Sequence, residues 1–312
     1  MSLDLLVHGS YPLEAWREAF AAAGPEAATL RLHGGPEAPP CDYALVWNPP
    51  AGLFASQPKL RAIFAMGAGV ESLLGMPALP SHIPLIRLED AGLAAQMAGY
   101  VCWGVLRHLR DFERLARLGR DADDWSALRG PPPITARIGI AGFGVLGRAV
   151  AEALQPHGFR LRAWRRSEGE TVPGVDVFHG DAGFVPFLQD LDVLVCLLPH
   201  TPATENLIDA AALARLAPGA LLINAGRGSA IDDEALLAAL ERGRPAAALL
   251  DVFREEPLPP AHPFRRHPAI TLTPHIAART QLPLSAVQVA QKIARLEAGL
   301  PVGGIVDRQR AY

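Results

Sequence analysis

The sequence predicts two doubly wound, parallel α/β domains. Short apolar runs that favour strands alternate with Ala- and Leu-rich helical patterns along almost the whole chain, which is typical of parallel sheets covered by helices. The chain has 312 residues, about twice the size of an ordinary domain. A break rich in charge, glycine and proline separates two series of strand candidates. We therefore expect one sheet on each side of this break.

The first series contains five strand candidates, LDLLVHG, ATLRLHG, DYALVWN, LRAIFAMG and IPLIRLE. A helix is predicted over residues 13–23, because the helical pattern there ends at Gly24. From Ala91 the pattern predicts one long helix that runs to about Leu118. The segment DADDWSALRGPPPITA, residues 121–136, then interrupts the regular pattern and is interpreted as a domain junction.

The second series follows at once, with strand candidates in RIGIAGFG, RLRAWRR, LDVLVCLLP, GALLINAGRG, AALLDVF and AITLTPHIA. A last helix is predicted from Leu284 to Ala298 and could pack back on the first domain. We therefore assign residues 1–100, completed by 282–312, to a substrate-binding domain. Residues 101–281 are assigned to a dinucleotide-binding domain.

Composition excludes several classes of partner. The formal net charge of −3 offers no electrostatic basis for binding nucleic acid or an anionic membrane. The N-terminus MSLDLLVHGSYP has no basic region followed by an apolar run, so no leader peptide is expected. Cys41, Cys102 and Cys196 are scattered and odd in number, which argues against a disulfide framework or a zinc site. These features favour a cytoplasmic protein without a metal.

A phosphate-binding loop is predicted in IGIAGFGVLG. Gly142 permits the tight turn after the strand, Gly144 lets the backbone approach a pyrophosphate, and Gly147 allows close packing of helix on strand. Val145 and Leu146 open the helix whose N-terminus would face the anion. The pattern indicates a Rossmann dinucleotide-binding domain.

The next strand lacks the acidic residue that would bind the ribose hydroxyls of NAD. It ends instead in Trp164, Arg165, Arg166 and Ser167. A carboxylate would repel a 2′-phosphate, whereas guanidinium groups form charge-assisted, bidentate bonds to it. NADPH is therefore the predicted cofactor, with NADH possible but weaker.

Reactive side chains lie in three segments that follow later strands. Arg227 lies in INAGRG, Asp251 and Glu256 lie in LDVFREEPLP, and His275 lies in TPHIAA. Loops at the carboxyl ends of parallel strands are where doubly wound sheets bind ligands. A histidine with an adjacent carboxylate can give a proton to a carbonyl oxygen near neutral pH, and an arginine can hold a substrate carboxylate. This is the chemistry needed to reduce a 2-oxo acid.

With these motifs in order, the whole chain resembles the D-isomer-specific 2-hydroxyacid dehydrogenases, and especially their glyoxylate/hydroxypyruvate reductase branch. DYALVWNPP, MGAGVESLL, GFGVLG, LLPHTPATENLI, INAGRG, DVFREEPLP, TPHIAA and the terminal VDRQRAY all fit. The resemblance implies a catalytic triad of Arg227, Glu256 and His275. It also implies a flavodoxin-like substrate domain and a homodimer, with the helix from Ala91 to Leu118 as a candidate interface.

The resemblance implies further binding residues. The substrate carboxylate would meet the backbone amides of Gly67, Ala68, Gly69 and Val70, and Trp47 and Asn48 would border a pocket for small substrates. Asp251 would face the nicotinamide amide. The remaining cofactor contacts implied are Gln96, Leu198, Pro199, Thr201, Thr204, Ala225 and Gly226. The small residues Ala98 and Gly99 depart from the polar residues of several relatives, which leaves substrate preference open.

The expected function is reduction of small 2-oxo acids with NADPH, glyoxylate to glycolate and hydroxypyruvate to D-glycerate. Two alternatives stay open. One is a dinucleotide-binding, corepressor-like regulatory protein with little turnover, since such proteins can keep the triad. The other is an NADH-preferring D-2-hydroxyacid dehydrogenase for another 2-oxo acid.

Overall fold

The computed structural model describes residues 2–35, 37–67, 69–121, 125, 135–169 and 171–309. The chain divides into two compact units. The first, called here the N-terminal unit, comprises Met1–Leu93 and Thr280–Tyr312, and the second, the central unit, comprises Ala94–Arg279. The sequence places the boundaries a few residues later. Most of the predicted junction at 121–136 lies outside the described residues, as does the end of VDRQRAY.

In the N-terminal unit the described residues form a five-stranded parallel sheet in the order β2-β1-β3-β4-β5. This order is that of flavodoxin-like sheets. The strands are β1 Leu3–His8, β2 Leu30–His33, β3 Tyr43–Val46, β4 Ala62–Ala65 and β5 Leu85–Ile86. The central strands β3 and β4 are buried along their whole length, as expected for a parallel sheet covered on both faces.

Helices cover this sheet. α1 spans Leu13–Ala21, α2 spans Glu71–Leu74 and α9 spans Leu282–Glu297. On one face, Trp16 and Phe20 of α1 share a hydrophobic core with Val289 and Ile293 of α9. The C-terminal helix therefore belongs to the N-terminal unit, as the sequence suggests.

In the central unit the described residues form a seven-stranded parallel sheet in the order β12-β11-β10-β9-β6-β7-β8. The chain winds outward from β6 in one direction to β8 and then from β9 in the other direction to β12, which is the Rossmann order with one added strand. The direction of winding reverses between β6 and β9. In such sheets this reversal is where the dinucleotide binds, beyond the carboxyl ends of the strands. The strands are β6 Arg137–Ala141, β7 Arg160–Arg165, β8 Val175–His179, β9 Val193–Cys196, β10 Leu221–Asn224, β11 Ala247–Leu250 and β12 Ile270–Leu272.

The strand β8 is absent from the strands predicted from the sequence. It pairs with β7 alone among the described strands and is only partly buried. Asp176 and His179 interrupt its apolar pattern, because an edge strand does not need apolar residues on both faces. The remaining helices are α3 Leu93–Leu109, α4 Phe112–Asp121, α5 Val145–Leu154, α6 Gly180–Leu188, α7 Ala210–Leu213 and α8 Asp233–Glu241. They belong to the central unit, apart from Leu93, the first residue of α3.

The long helix predicted from Ala91 to Leu118 is wrong as a single helix. The chain forms α3 and α4 instead, and the break lies at Asp111, which adopts a left-handed backbone conformation with φ of 54°. Aspartate tolerates this conformation better than most residues. The Asp111 carboxylate also pairs with Arg114 in the first turn of α4. Across the described residues, no helix combines the length and apolar character that crossing a membrane requires.

Hydrophobic cores lie on both faces of the central sheet. Phe187 of α6 is fully buried in one of them, 6.1 Å from the ring of Phe184 between centroids. Gly139 of β6 makes room for Phe187, since a Cβ there would lie 3.0 Å from its ring. The packing of α6 on the sheet therefore depends on this phenylalanine.

We expect Phe187→Ala to lower the free energy of unfolding of the central unit by about 3–5 kcal/mol, because it leaves a cavity in a close-packed core. Val185 lies on the same helix but is 45% exposed, so Val185→Ala is the matched control and should change stability by no more than about 0.5 kcal/mol. Urea denaturation followed by circular dichroism measures both. Equal losses for the two variants would contradict this description of the core.

Candidate active site

His275 and Glu256 form a hydrogen-bonded pair in the central unit. Nδ1 of His275 lies 2.7 Å from Oε2 of Glu256, and the other carboxylate oxygen accepts a bond of 2.9 Å from the backbone N–H of Phe253. Both oxygens of Glu256 are thus engaged. The imidazole uses Nδ1 for this pair and is 46% exposed, so Nε2 is the ring nitrogen left to face a substrate.

The pair shifts the protonation of both partners. The hydrogen bond that His275 donates to Glu256 raises the pKa of His275 above its usual value, although partial burial and the charge of Arg227 act in the opposite direction. Burial alone would raise the pKa of Glu256, but the hydrogen bonds from His275 and Phe253 and the nearby charge of Arg227 lower it overall. The geometry therefore favours an imidazolium held by a carboxylate, which is suited to proton donation near neutral pH.

Asp251 shapes the turn that carries His275. Its side chain is 1% exposed, and its oxygens accept bonds from Thr273 Oγ1 (2.6 Å), Ile276 N (2.8 Å) and Ala277 N (2.9 Å). The backbone N–H of His275 donates to the carbonyl oxygen of Asp251 at 2.8 Å. His275 has φ of 54°, a left-handed conformation that costs energy for a non-glycine residue and persists where surrounding contacts enforce it.

Two residues that the sequence analysis does not single out support Asp251. Tyr100 of α3 lies 2.7 Å from Thr273 through their hydroxyl oxygens. Since the Thr273 hydroxyl donates its proton to Asp251, Tyr100 must donate to Thr273. Burial raises the pKa of Tyr100 to about 12, so this donor keeps its proton. Tyr100 lies outside the segments that carry reactive side chains, and Thr273, although part of TPHIAA, meets it only through a contact between residues far apart in sequence.

The turn that carries Arg227 is held by the side chain of Asn224. Asn224 at the end of β10 is fully buried; its amide donates to the carbonyl oxygen of Arg227 at 3.0 Å and its side-chain oxygen accepts from Gly226 N at 3.2 Å. Arg227 Nη1 donates to the carbonyl oxygen of Gly226 at 2.7 Å. Arg227, Glu256 and His275, predicted as a triad, thus lie at one edge of the sheet and act on one another electrostatically.

The glycine loop has the geometry of a dinucleotide cradle. Gly142 has φ of 98°, and a Cβ there would lie 2.8 Å from the carbonyl oxygen of Leu197. A Cβ on Gly147 would lie 2.2 Å from the carbonyl oxygen of Gly142, so helix and strand meet where only glycine fits. A Cβ on Gly144 would meet no neighbouring atom within 4 Å. Helix α5 begins directly after this glycine with Val145 and Leu146. The residues fit a pyrophosphate at the N-terminus of α5.

The arginines at the end of β7 face different surroundings. Arg166 and Ser167 are exposed, and Arg166 Nη2 lies 3.5 Å from Thr201 Oγ1, in the loop after β9. Arg166 therefore lies beside the reversal of winding. Arg165 is half-buried, with its guanidinium against Gly169. Trp164 points away into the core, 4% exposed, with Nε1 donating to the carbonyl oxygen of Gly180 at 2.8 Å.

Other predicted cofactor residues lie in the loops that follow β9 and β10. A Cβ on Gly226 would lie 2.6 Å from the carbonyl oxygen of Leu198, which brings Leu198, Ala225 and Gly226 together. Thr204 is 3% exposed, and its hydroxyl donates to the carbonyl oxygen of Pro199 at 2.6 Å. This bond fixes the conformation of the loop after β9.

Gln96 of α3, another predicted cofactor residue, bonds the backbone of Arg279 through both ends of its amide, at 2.9 and 3.2 Å.

The predicted substrate residues belong to the N-terminal unit. Trp47 packs against Gly67, since a Cβ on Gly67 would lie 3.4 Å from the indole. Ala68 lies outside the described residues, and Gly69 follows it. Val70 is 2% exposed, and its side chain belongs to a hydrophobic core of the N-terminal unit. Asn48, beside Trp47, has a left-handed backbone with φ of 44°.

Residues 101–277 match the family model of the D-isomer specific 2-hydroxyacid dehydrogenase NAD binding domain. The chain is 42% identical, over 314 residues and 99% of both chains, to a glyoxylate/hydroxypyruvate reductase A from Serratia proteamaculans. It is 44% identical, over 88% of both chains, to a glyoxylate/hydroxypyruvate reductase A from Klebsiella pneumoniae.

Solved structures agree over the whole chain. A D-isomer specific 2-hydroxyacid dehydrogenase from Xanthobacter autotrophicus in complex with NADPH and MES has a TM-score of 0.92 at 37% identity, with 100% of both chains covered. An NADPH-dependent glyoxylate/hydroxypyruvate reductase from Sinorhizobium meliloti in complex with NADP and sulfate has a TM-score of 0.89 at 34% identity, again over 100% of both chains. Given the triad at one sheet edge, the glycine cradle and these full-length similarities, the chain belongs to the D-isomer specific 2-hydroxyacid dehydrogenase family.

Proposed function

We propose that this protein is a reductase that uses NADPH to convert small 2-oxo acids to 2-hydroxy acids, glyoxylate to glycolate and hydroxypyruvate to D-glycerate. The observation that carries this proposal is the His275–Glu256 pair at 2.7 Å, with a raised histidine pKa and Arg227 close by. The glyoxylate/hydroxypyruvate reductases among its relatives support the choice of substrates.

In this proposal His275 is the proton donor. Protonated Nε2 gives its proton to the carbonyl oxygen of the substrate as that oxygen gains negative charge. Glu256 holds the ring by Nδ1 and stabilises the imidazolium. The fork of Arg227 binds the substrate carboxylate and polarises the carbonyl. The cofactor, when bound, supplies the hydride that the carbonyl carbon receives.

We assign the cofactor to the carboxyl end of the central sheet. The glycine loop from Gly142 to Gly147 would hold the pyrophosphate, and Arg165, Arg166 and Ser167 would bind the 2′-phosphate. Leu198, Pro199, Thr204, Ala225, Gly226 and Asp251 would border the rest of the dinucleotide. The backbone of residues 67–70 and Trp47 are assigned to the substrate on family resemblance.

We also propose that the protein acts in the cytoplasm as a homodimer. Trp103 of α3 and Phe112 and Leu118 of α4 are 48%, 50% and 42% exposed, which is unusual for large apolar side chains so close together in sequence. Trp103 and Phe112 line one groove, with Leu106, Arg107 and Glu113. Burial of these side chains against a second copy would remove them from water.

Replacing Arg166 by glutamine should raise the Michaelis constant for NADPH about ten- to a hundredfold and change that for NADH little, because only NADPH carries the phosphate that the guanidinium bonds. Arg165→Gln should act in the same direction. Arg160→Gln is the matched control, since Arg160 is exposed at the opposite end of the same strand. Initial rates with both cofactors decide this, and equal effects on both cofactors would contradict the assignment.

Reduction should depend on pH through His275. Because Glu256 raises the pKa of this proton donor, turnover should persist above the usual histidine range and fall as pH rises through the raised pKa. Glu256→Gln removes the charge, so the alkaline limb of the kcat profile should move to lower pH, with lower kcat. His275→Ala should lose turnover about a hundredfold or more. A folded His275→Ala protein with full turnover would reject the scheme.

Sedimentation velocity at micromolar concentration should give a dimer for the wild type. A Trp103→Glu, Phe112→Glu double variant should sediment as a monomer with an unchanged circular dichroism spectrum, because it buries two carboxylates in the proposed interface. Val185→Glu, at an exposed apolar residue of α6, is the control and should remain a dimer. A monomeric wild type would reject the interface.

A further inference from the structure

Arg254 joins two loops of the candidate active site. It lies two residues before Glu256, and its Nη2 donates to the carbonyl oxygens of Ser229, at 3.3 Å, and of Ile231. The same nitrogen donates to Oδ1 of Asn206, whose own backbone N–H bonds the carbonyl oxygen of Ser229 at 2.9 Å. One guanidinium thus links residues that lie more than twenty positions away from Arg254 in sequence.

Acidic side chains hold this guanidinium in place. Arg254 Nη1 lies 3.7 Å from Glu205, and Nε lies 3.6 Å from Asp233. Asp233 is also 3.5 Å from His262, further along the loop that follows Glu256. The Arg254 side chain is 33% exposed, so these contacts are partly shielded from water. Burial raises the pKa of Asp233, and the charges of Arg254 and His262 oppose that rise.

The loops that Arg254 joins both carry triad residues. Ser229 lies on the short helical turn Gly228–Ala230 directly after Arg227, and Ile231 follows that turn. At Gly228 the backbones touch, since a Cβ there would lie 2.0 Å from the carbonyl carbon of Phe253 and 2.4 Å from Arg254 N. Phe253 N is also the donor that holds Glu256 Oε1. The position of the Glu256 carboxylate therefore depends on how this segment is fastened to the Arg227 turn.

We propose that Arg254 is a positioning residue for the reaction, which fastens the Glu256 segment to the Arg227 turn and so holds Glu256 against His275. The proposal rests on the function proposed above for its effect on turnover. Its structural part, the alignment of Glu256 with His275, does not depend on which substrate is reduced. Arg254 itself touches neither His275 nor the side chain of Glu256 in any described hydrogen bond or ion pair.

Loss of the guanidinium should act on His275 through Glu256. The charged groups that act on His275 are Glu256, Arg227 and Asp251, and the hydrogen bond that the imidazole donates to Glu256 makes the largest contribution to its raised pKa. A Glu256 carboxylate that is free to turn away would let the histidine pKa fall. It would also leave the proton donor less well oriented, and misplacement of about 1 Å can cost a hundredfold in rate.

The experiment compares Arg254→Met, which keeps length but removes the donors, with Arg254→Lys, which keeps the charge. Arg266→Met is the matched control, because Arg266 is an exposed arginine on the turn Pro263–Arg266 that follows the same loop. The pKa of His275 is measured by NMR titration of its imidazole protons in the full chain, assigned with His275→Ala. Turnover and Michaelis constants for glyoxylate with NADPH are measured in parallel.

We expect Arg254→Met to lower the His275 pKa measurably and to reduce kcat about tenfold or more, with less change in the Michaelis constant for NADPH. Arg254→Lys should restore part of both, and Arg266→Met should change neither. In a Glu256→Gln background, Arg254→Met should have little further effect on the His275 pKa, because both changes remove the same interaction.

An unchanged His275 pKa in folded Arg254→Met protein would overturn the proposal, whatever happens to turnover. So would a full additional effect in the Glu256→Gln background. If Arg254→Met does not fold, Arg254→Gln, which retains an N–H donor, carries the same comparison. A wild type that does not reduce glyoxylate or hydroxypyruvate would reject the proposed function, while the titration would still decide the positioning role.

Discussion

The parallel register of β10, β11 and β12 is the constraint on which the candidate active site depends. Asn224 pairs with Leu250, and Leu250 pairs with Leu272, so the three strands end at the same level. The residues that follow these ends are the turn to Arg227, then Asp251 and the segment to Glu256, and then the turn to His275. Side chains separated by up to 48 positions in sequence are thereby brought to one edge of the sheet.

Buried polar residues fix the turns that carry Arg227 and His275 at this edge. Asn224 fixes the Arg227 turn, and Asp251 accepts three hydrogen bonds from the segment that carries His275. A buried carboxylate without partners would be costly, and these donors remove that cost. They also enforce the left-handed backbone of His275. The exposed imidazole is thus carried by a segment that buried hydrogen bonds hold in place.

Much of this arrangement could be predicted from the sequence. Apolar strands followed at once by Arg227, Asp251 and His275 are visible as a pattern, and so are the glycines of IGIAGFGVLG, because each reports a local requirement of the chain. The predicted parallel fold and the family are confirmed by the structure and the comparisons. The roles of the individual site residues stay predictions.

What could not be predicted depends on contacts between distant segments or on conformation at single residues. The edge strand β8 lacks a strong apolar signal because it needs burial on only part of its surface. The break at Asp111 arises from one left-handed residue inside an otherwise helical pattern. Tyr100, Thr273 and Arg254 are common residue types whose importance comes only from the partners that the fold brings to them.

The charge at the end of β7 connects the fold to cofactor choice. A Rossmann sheet places the end of this strand beside the adenosine ribose, so Arg165 and Arg166 stand where a carboxylate would select NAD.

The most direct test is the ratio of kcat to KM of the wild type for glyoxylate and for hydroxypyruvate, each with NADPH and with NADH. We expect turnover of both acids with a strong preference for NADPH. Tight NADPH binding without turnover of either acid would contradict the reductase function, and a preference for NADH would contradict the role of the two arginines.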